Sequence, residues 1–218
     1  MWSRLFFYKR ECLKTTWTFR LAVVGGAVLL IALTRGFWIP RVGRSLICNE
    51  QKGPADAILI DNLEASEGVF ERAAAIRKTS GLRVFVPVQT PRDLAEPSIV
   101  SKGIAEVMAR AARLEEWTLI PVHIVEPISL NAAYQIRRVL ADEHVRSVII
   151  VTPGFRSRRS SLIYGAILPQ AGITPLCEPV VGEGSVETWM SSWHGIDQLL
   201  QQFIKLQYYR FWVLPFRA

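Results

Sequence analysis

The sequence predicts an α/β protein: a parallel sheet of about five strands with helices on both faces, preceded by one N-terminal transmembrane helix. Two observations predict this class. From residue 55 onward, short apolar runs alternate with helical patterns that are long enough to cross over between parallel strands. Ahead of them, residues 21–34 form a stretch of 14 residues without a charge.

The uncharged stretch becomes long enough for a membrane span when its aromatic flanks are included. Residues 17–38 would form a helix of about 33 Å, against a hydrocarbon core of roughly 30 Å. Aromatic residues at both ends are typical of membrane interfaces, and Arg20 and Arg35 lie close enough to the ends to reach the headgroups. A buried core helix and a cleaved signal peptide are the less favoured alternatives.

The anchor defines the expected domain organisation and location. We expect a basic tail (1–16), a transmembrane anchor (17–40), a linker (41–54) and an α/β domain (55–212) that includes an aromatic C-terminal helix. Basic residues are slightly in excess before the span, which favours a cytoplasmic N-terminus. The sequence therefore predicts a single-pass protein of the inner (cytoplasmic) membrane, partnered by the lipid bilayer, with its main domain outside the cytoplasm.

The distribution of charge argues against a nucleic-acid partner. The formal net charge is +7, but residues 1–52 contain nine basic and two acidic residues. Residues 53–218 are left with 17 of each. A domain without net charge or a basic stripe is a poor binder of nucleic acid.

The elements of the domain follow from hydrophobic period and from turn residues. In the second strand, Pro87 suggests an end or a bulge. In the second helix, the apolar period places Ile104, Val107, Met108 and Ala111 on the buried face. The predicted strands are 57–60, 83–88, 121–125, 147–152 and 173–177, and the predicted helices are 67–79, 98–114, 129–142, 157–167 and 192–210.

The stretch 147–161 carries the strongest indication of a site. A buried strand ends at Pro153 and Gly154, and Ser157 can cap the next helix. This turn lies at the carboxyl edge of the sheet, where α/β folds bind ligands. Arg156, Arg158 and Arg159 would lie beside free N–H groups of a helix N-terminus, an arrangement that suits an anion. A solvated basic turn is the equally weighted alternative.

Cysteine and histidine positions give less information. Cys48 and Cys177 could pair if the domain faces an oxidising compartment, but two unrelated buried thiols are the favoured interpretation. His123, His144 and His194 show no spacing of a metal site. The aromatic C-terminal helix is expected to pack on the sheet, and contact with the bilayer would be compatible with that.

Several segments taken together resemble the YdcF-like family, which includes ElyC and SanA. They are the anchor, PADAILI at 54–60, NAA at 131–133, SVIIVTPGFRSRR at 147–159 and FIKLQYY at 203–209. The resemblance covers about residues 54–209. It implies a Rossmann-like sheet and an association with cell-envelope integrity or envelope polysaccharide synthesis.

The resemblance also implies a pocket at the carboxyl edge of the sheet. Its candidate residues here are Asp61 and Glu106 as acid or base, and the ligand-binding set Asn62, Asn131, Thr152, Arg156, Arg158 and Arg159. Two Gly-rich turns of the family are missing, and the His of its pattern falls on Arg156, which stays protonated and cannot act as a base. A catalytic role is therefore disfavoured, and no cofactor is indicated.

These observations leave two main functions open. The first is a non-catalytic binding or accessory subunit in envelope or exopolysaccharide biogenesis, with a membrane protein as its expected partner. The second is an enzyme or binder that acts on an anionic, phosphorylated envelope precursor through the arginine-rich turn. A nucleotide or S-adenosylmethionine site is the weakest possibility, because no glycine-rich phosphate loop follows the first strand.

Overall fold

The computed structural model describes residues 16–51, 53–63, 66–91, 96–181 and 186–217. The chain divides into two compact units, residues 1–38 and 39–218. The predicted basic tail, apart from Thr16, and part of the predicted loop 90–97 lie outside the described residues.

The first unit contains helix α1 (Trp17–Leu33) and the start of α2 (Arg35–Ser45). Thr16 caps α1 by accepting a hydrogen bond from the Phe19 N–H. The Thr34 hydroxyl donates to the Leu30 carbonyl at 2.7 Å where α1 ends. Among the described residues, no single helix is long and apolar enough to cross a membrane, whereas α1 and α2 as a bent pair meet that test of length and composition. The transmembrane anchor stays a prediction.

The second unit is built on five parallel strands, which confirms the predicted sheet. The strand order is β3-β2-β1-β4-β5, the order of a Rossmann-like fold. The strands are β1 (Ala57–Ile60), β2 (Arg83–Thr90), β3 (Thr118–His123), β4 (Ser147–Pro153) and β5 (Thr174–Val180).

Helices cover both faces of the sheet, as predicted. One apolar cluster joins one sheet face to α3 and α4, and a second joins the other face to α5, α6 and the C-terminal segment. All four residues of β1 are buried, as expected for a central strand covered on both sides. The helices are α3 (Glu67–Ser80), α4 (Ile99–Ala111), α5 (Ile128–Asp142), α6 (Gly154–Ile167), α7 (Trp193–Tyr208) and α8 (Leu214–Arg217), with a π-helical turn (Tyr209–Val213) between the last two.

Strand β2 does not end at Pro87, contrary to the sequence prediction. It continues to Thr90 in register with β3. The β1 ladder with β2 stops at Phe85, so Pro87 has a ladder partner on one side only, as at an edge position where proline is tolerated.

The predicted buried face of α4 is wrong except at Met108, which is partly buried and packs against the core. Ala105 and Ala109 are buried, whereas Val107 is 67% exposed and Ile104 is 42% exposed. Small side chains let α4 lie close to the neighbouring layer, and a pattern based on large apolar residues selects the opposite side. In α5 the predicted inward residues are buried or packed against the core: Ala132, Ala133, Ile136, Val139 and Leu140.

The segment predicted as a linker, 41–54, has its own structure in the second unit. Its first residues belong to α2, and Gly43, Leu46 and Cys48 are buried. Cys48 forms a disulfide with Cys177 of β5, so the favoured interpretation of two unrelated thiols is wrong. The Gln51 N–H also donates to the Cys177 carbonyl at 3.2 Å.

Candidate functional site

The candidate site lies where two central strands end side by side. Asp61 follows β1 directly, and Thr152 is near the end of β4. The two strands pair in parallel, and the Asp61 N–H donates to the Val151 carbonyl at 2.9 Å. The order β3-β2-β1-β4-β5 reverses direction between β1 and β4. In open α/β sheets this reversal point forms the crevice that binds ligands.

A buried ion pair occupies this position. Arg156 Nη2 lies 2.9 Å from Asp61 Oδ1, and the two side chains are 4% and 1% exposed. The other carboxylate oxygen, Oδ2, accepts hydrogen bonds from Ser160 Oγ at 2.5 Å and Thr152 Oγ1 at 3.1 Å. The Asp61 carboxylate is therefore neutralised by one charge and solvated by two hydroxyls, as a buried charge requires.

Local chain geometry explains why the arginine points inward. Helix α6 begins at Gly154, immediately after β4, so its first turn lies above the strand ends. Arg156 and Ser160 are four residues apart and share a helix face. The sequence prediction of Ser157 as the helix cap is therefore wrong, because the helix starts three residues earlier.

A second buried arginine is held by the C-terminal part of the chain. Arg159 donates from Nη2 to Gln202 Oε1 at 3.0 Å and from Nη1 to Ser129 Oγ at 3.3 Å. Its guanidinium lies 5.7 Å from the centroid of the Tyr209 ring, a cation–π geometry. The Tyr209 hydroxyl in turn accepts from the Ser129 N–H at 3.2 Å. Arg159 thus joins α5, α6 and α7.

Tyr164 completes the cluster one turn further along α6. Its side chain is buried, and its hydroxyl has no hydrogen-bond partner among the described residues. Burial raises the pKa of this hydroxyl well above its ordinary value, and the negative Asp61 raises it further, while Arg156 and Arg159 act in the opposite direction. Tyr164 is therefore a neutral phenol at physiological pH.

Two groups near the start of α6, where the sequence suggested an anion site, are bonded to the preceding segment of the chain. The Leu46 carbonyl accepts from the Arg158 N–H at 3.0 Å. The Cys48 N–H donates to Ser157 Oγ at 2.9 Å, and that hydroxyl donates to the Gly154 carbonyl. The Arg158 N–H and the Ser157 hydroxyl are therefore bonded to residues 46–48 and are not available to an anion.

The structure brings Asp61, Thr152, Arg156 and Arg159 into one region and places the other candidates elsewhere. Glu106 lies half-exposed on α4, 3.8 Å from Lys102 of the same helix. Asn131 donates to the Val125 and Pro127 carbonyls and so closes the loop before its own helix.

Asn62 and Arg158 are also outside the buried cluster. Asn62 donates to the Pro87 carbonyl at 3.4 Å, a contact that links the ends of β1 and β2. The Arg158 side chain is exposed on the outer side of α6. Neither side chain approaches the Asp61 carboxylate within hydrogen-bonding distance.

Sequence reasoning missed five residues of the site: Ser160, Tyr164, Ser129, Gln202 and Tyr209. The first two carry a usable signal, because they follow Arg156 at intervals of four residues and so share its face. Gln202 follows its partner Arg159 by 43 residues and lies on α7, and no local pattern indicates it.

The cluster cannot act directly on a substrate in this arrangement. An acid or base must come within hydrogen-bond reach of the reacting group, and the Asp61 oxygens are buried and already bonded. A neighbouring cavity at the ends of β4 and β5 measures about 210 Å³, below the range of about 300–1,000 Å³ of typical ligand pockets. Among the described residues, no group of His, Cys, Asp or Glu could hold a metal ion.

Comparison with known proteins returns only distant structural similarity. No family model and no curated protein matches the chain. A crystal structure of a universal stress protein in complex with cAMP is 13% identical with a TM-score of 0.37, over 58% of this chain and 98% of the other. A protein of the universal stress protein family from Burkholderia pseudomallei is 15% identical with a TM-score of 0.35, over 59% of this chain and all of the other.

Proposed function

We propose that this chain is a membrane-anchored accessory protein of cell-envelope or exopolysaccharide biogenesis, and that its Rossmann-like domain binds a partner protein without catalysing a reaction. The observation that carries the proposal is the Asp61–Arg156 pair. The chain places its own buried ion pair at the reversal point of the sheet, where related architectures bind a ligand.

The chemistry of the pair supports a structural role. Both carboxylate oxygens are used by Arg156, Thr152 and Ser160. Breaking a buried pair leaves an uncompensated charge, which costs about 3–5 kcal/mol. A substrate would have to supply at least that much free energy before it gained any catalytic contact.

The disulfide supports the expected compartment. Disulfides persist in secreted and envelope proteins and are rare in the cytosol. Cys48 and Cys177 are bonded, which agrees with a domain outside the cytoplasm and with the orientation expected from the basic N-terminus. The resemblance to the YdcF-like family points to the same envelope setting.

The alternative, capture of an anionic precursor through Arg156 and Arg159, has weaker support. Both arginines would have to leave their present partners: Asp61 in one case, Ser129 and Gln202 in the other. We therefore do not propose that these two residues bind a substrate.

The proposal is tested by complementation in a strain that lacks this chain, with sensitivity of intact cells to bile salts as the readout. The central variant replaces both charges of the pair, Asp61→Asn with Arg156→Met. We expect it to restore the envelope barrier as wild type does, because an accessory role needs the fold and not the charges. A variant without residues 17–40 should fail to restore it.

Folding is followed in the same cells by immunoblot and by resistance to protease. Three outcomes contradict the proposal: deletion of the chain that leaves the barrier unchanged, a folded Asp61→Asn/Arg156→Met variant that fails to complement, or a variant without 17–40 that complements fully. The second outcome would assign a chemical role to the buried pair.

A further inference from the structure

The outer side of the C-terminal helical segment is unusually apolar. Five residues, each four positions after the last, are 46–73% exposed. We call them the C-terminal stripe: Leu200, Ile204, Tyr208, Trp212 and Phe216. The opposite side of the segment packs on the domain through Leu199, Leu206, Tyr209 and Val213.

The helix geometry keeps these residues on one side. In a regular α-helix, positions four apart drift gradually around the axis, because a turn has 3.6 residues. The π-helical turn Tyr209–Val213 has more residues per turn and offsets part of that drift. The stripe therefore stays a continuous exposed surface over α7, the π-helical turn and α8.

The charged residues of the C-terminal segment after Asp197 all have one sign. After Asp197, the only charged residues up to position 217 are Lys205, Arg210 and Arg217. Arg210 also lines a surface groove of about 810 Å³ between α6 and α7, together with Arg158 and with Leu162, Phe203 and Leu206. The Arg158 and Arg210 side chains form no ion pair with any described residue.

We propose that the C-terminal stripe and this groove form a second membrane contact, which binds an anionic phospholipid surface independently of the anchor. Tyr and Trp are preferred at the boundary between headgroups and acyl chains, since each has an apolar ring and a polar tip. Two guanidinium groups suit a phosphate, and the apolar walls of the groove suit the start of an acyl chain.

Charge favours a lipid over a second copy of the chain. An exposed aromatic face also suits a protein partner or a second copy of the chain. A second copy, however, would bring the same arginines to the contact, and the segment offers no acidic residue after Asp197 to pair with them. An anionic headgroup complements the arginines without such repulsion.

Photo-crosslinking of the full chain tests the inference. The photoreactive residue p-benzoylphenylalanine replaces Trp212 or, in a second variant, Ile204. The matched control places it at Val107, an equally exposed apolar position of α4. Each chain is reconstituted in phosphatidylcholine vesicles with or without phosphatidylglycerol, irradiated, and analysed for lipid adducts by mass spectrometry.

We expect adducts with phosphatidylglycerol at positions 212 and 204 and a background level at 107. Arg158→Gln and Arg210→Gln should each lower the yield of these adducts about fivefold, the factor expected for one basic residue at an anionic surface. Equal yields at 212 and 107, unchanged yields in the arginine variants, or adducts with protein instead of lipid would overturn the inference.

Failure of the anchor is recognised separately by vesicle flotation and alkaline extraction. A chain that floats but is extracted at alkaline pH, with lipid adducts at 212, supports the stripe and contradicts the anchor. A chain that resists extraction without adducts at 212 overturns the stripe alone. A chain that does not float with either vesicle overturns both.

Discussion

Asp61 obtains its ionic partner from a residue 95 positions later in the chain. The sequence shows a carboxylate after one strand and an arginine after another, and on chemistry alone each could have faced a ligand. The structure places them 2.9 Å apart in the core. Their individual positions follow from sequence, since Asp61 comes directly after β1 and Arg156 lies in the first turn of the helix that follows β4. The ion pair between them could not be predicted from sequence, because it forms only when α6 begins at Gly154 and turns Arg156 inward.

The ion pair should dominate the stability of the site. Asp61→Asn is expected to lower the free energy of unfolding by about 3–5 kcal/mol, because Arg156 would stay buried without a counter-charge. Combining it with Arg156→Met should recover most of that loss. Urea unfolding of the full chain in detergent measures both effects.

The matched control for the pair is Glu106→Gln, which removes one partner of an exposed pair on α4. Its expected effect is below about 0.5 kcal/mol. A loss for Asp61→Asn as small as the control's would show that the buried pair contributes little to stability.

The buried Tyr164 should make the free energy of unfolding fall at alkaline pH. Its pKa is raised in the folded state, so ionisation favours the unfolded chain. The neutral phenol's contribution is complete below the unfolded value of about 10 and is lost as the pH rises toward the folded pKa. Tyr164→Phe should remove this component and should not destabilise the chain at neutral pH, because the hydroxyl has no partner among the residues that the structure describes.

The measurement is the unfolding midpoint in urea from neutral to alkaline pH, with the exposed Tyr208→Phe as the matched control. The Tyr208 variant should keep the wild-type alkaline decline. An identical decline in Tyr164→Phe would show that Tyr164 is not its source.

At the scale of elements, the segment 46–51 is held to the domain by a disulfide and by hydrogen bonds to α6 and β5. The disulfide joins residues 129 apart in sequence. A cross-link that closes a loop of that length stabilises the folded state, because it lowers the conformational entropy of the unfolded chain. Cys48→Ala is expected to lower the free energy of unfolding by about 2–5 kcal/mol.

Cys177→Ala and the double variant should give the same loss as Cys48→Ala, since each removes the same bond. Reduction with dithiothreitol should destabilise wild type and leave the three variants unchanged, whereas Cys12→Ser should retain the wild-type response. Additive losses in the double variant would contradict a shared bond.

Helix α4 provides a test of the corrected buried face. Ala109→Leu inserts a larger side chain where the helix meets the sheet layer and should cost about 1–3 kcal/mol. Ala111→Leu makes the same change at an exposed position of the same helix and should stay within about 0.5 kcal/mol of wild type. Equal losses in thermal unfolding would contradict the assignment of the face.

The elements show which parts of the fold the sequence could predict. All five strands and their order along the chain are confirmed, because apolar runs between helical patterns specify them strongly, but β3 begins at Thr118, three residues before the predicted start at 121. The face of α4 was wrong because alanine is a weak hydrophobic signal beside Ile104 and Val107. The predicted end of β2 was wrong because Pro87 lies beyond the point where the ladder with β1 ends, and a proline is tolerated there. The sequence of a single strand does not show where its neighbour's ladder ends.

For the whole molecule, the basic N-terminus and the neutral domain predict one orientation. Alkaline phosphatase requires an oxidising compartment for its own disulfides. Fused after residue 218, it should be active in intact cells, and a fluorescent protein that folds only in the cytoplasm should be dark at the same position. Exchanging Arg4, Lys9, Arg10 and Lys14 for glutamine should reduce the phosphatase signal. An inactive phosphatase with a bright fluorescent fusion would contradict the orientation.

The link between Cys48 and Cys177 also determines how a pulling force would pass through the protein. Force applied to the two ends of the chain would enter at Cys48, cross the sulfur atoms and leave along β5. The 129 positions bridged by that link, roughly 430 Å of extended chain, would carry no tension. Strands β1 to β4 and the buried ion pair lie within this bypassed stretch, so pulling on the two ends could not extend that part of the chain while the bond is intact.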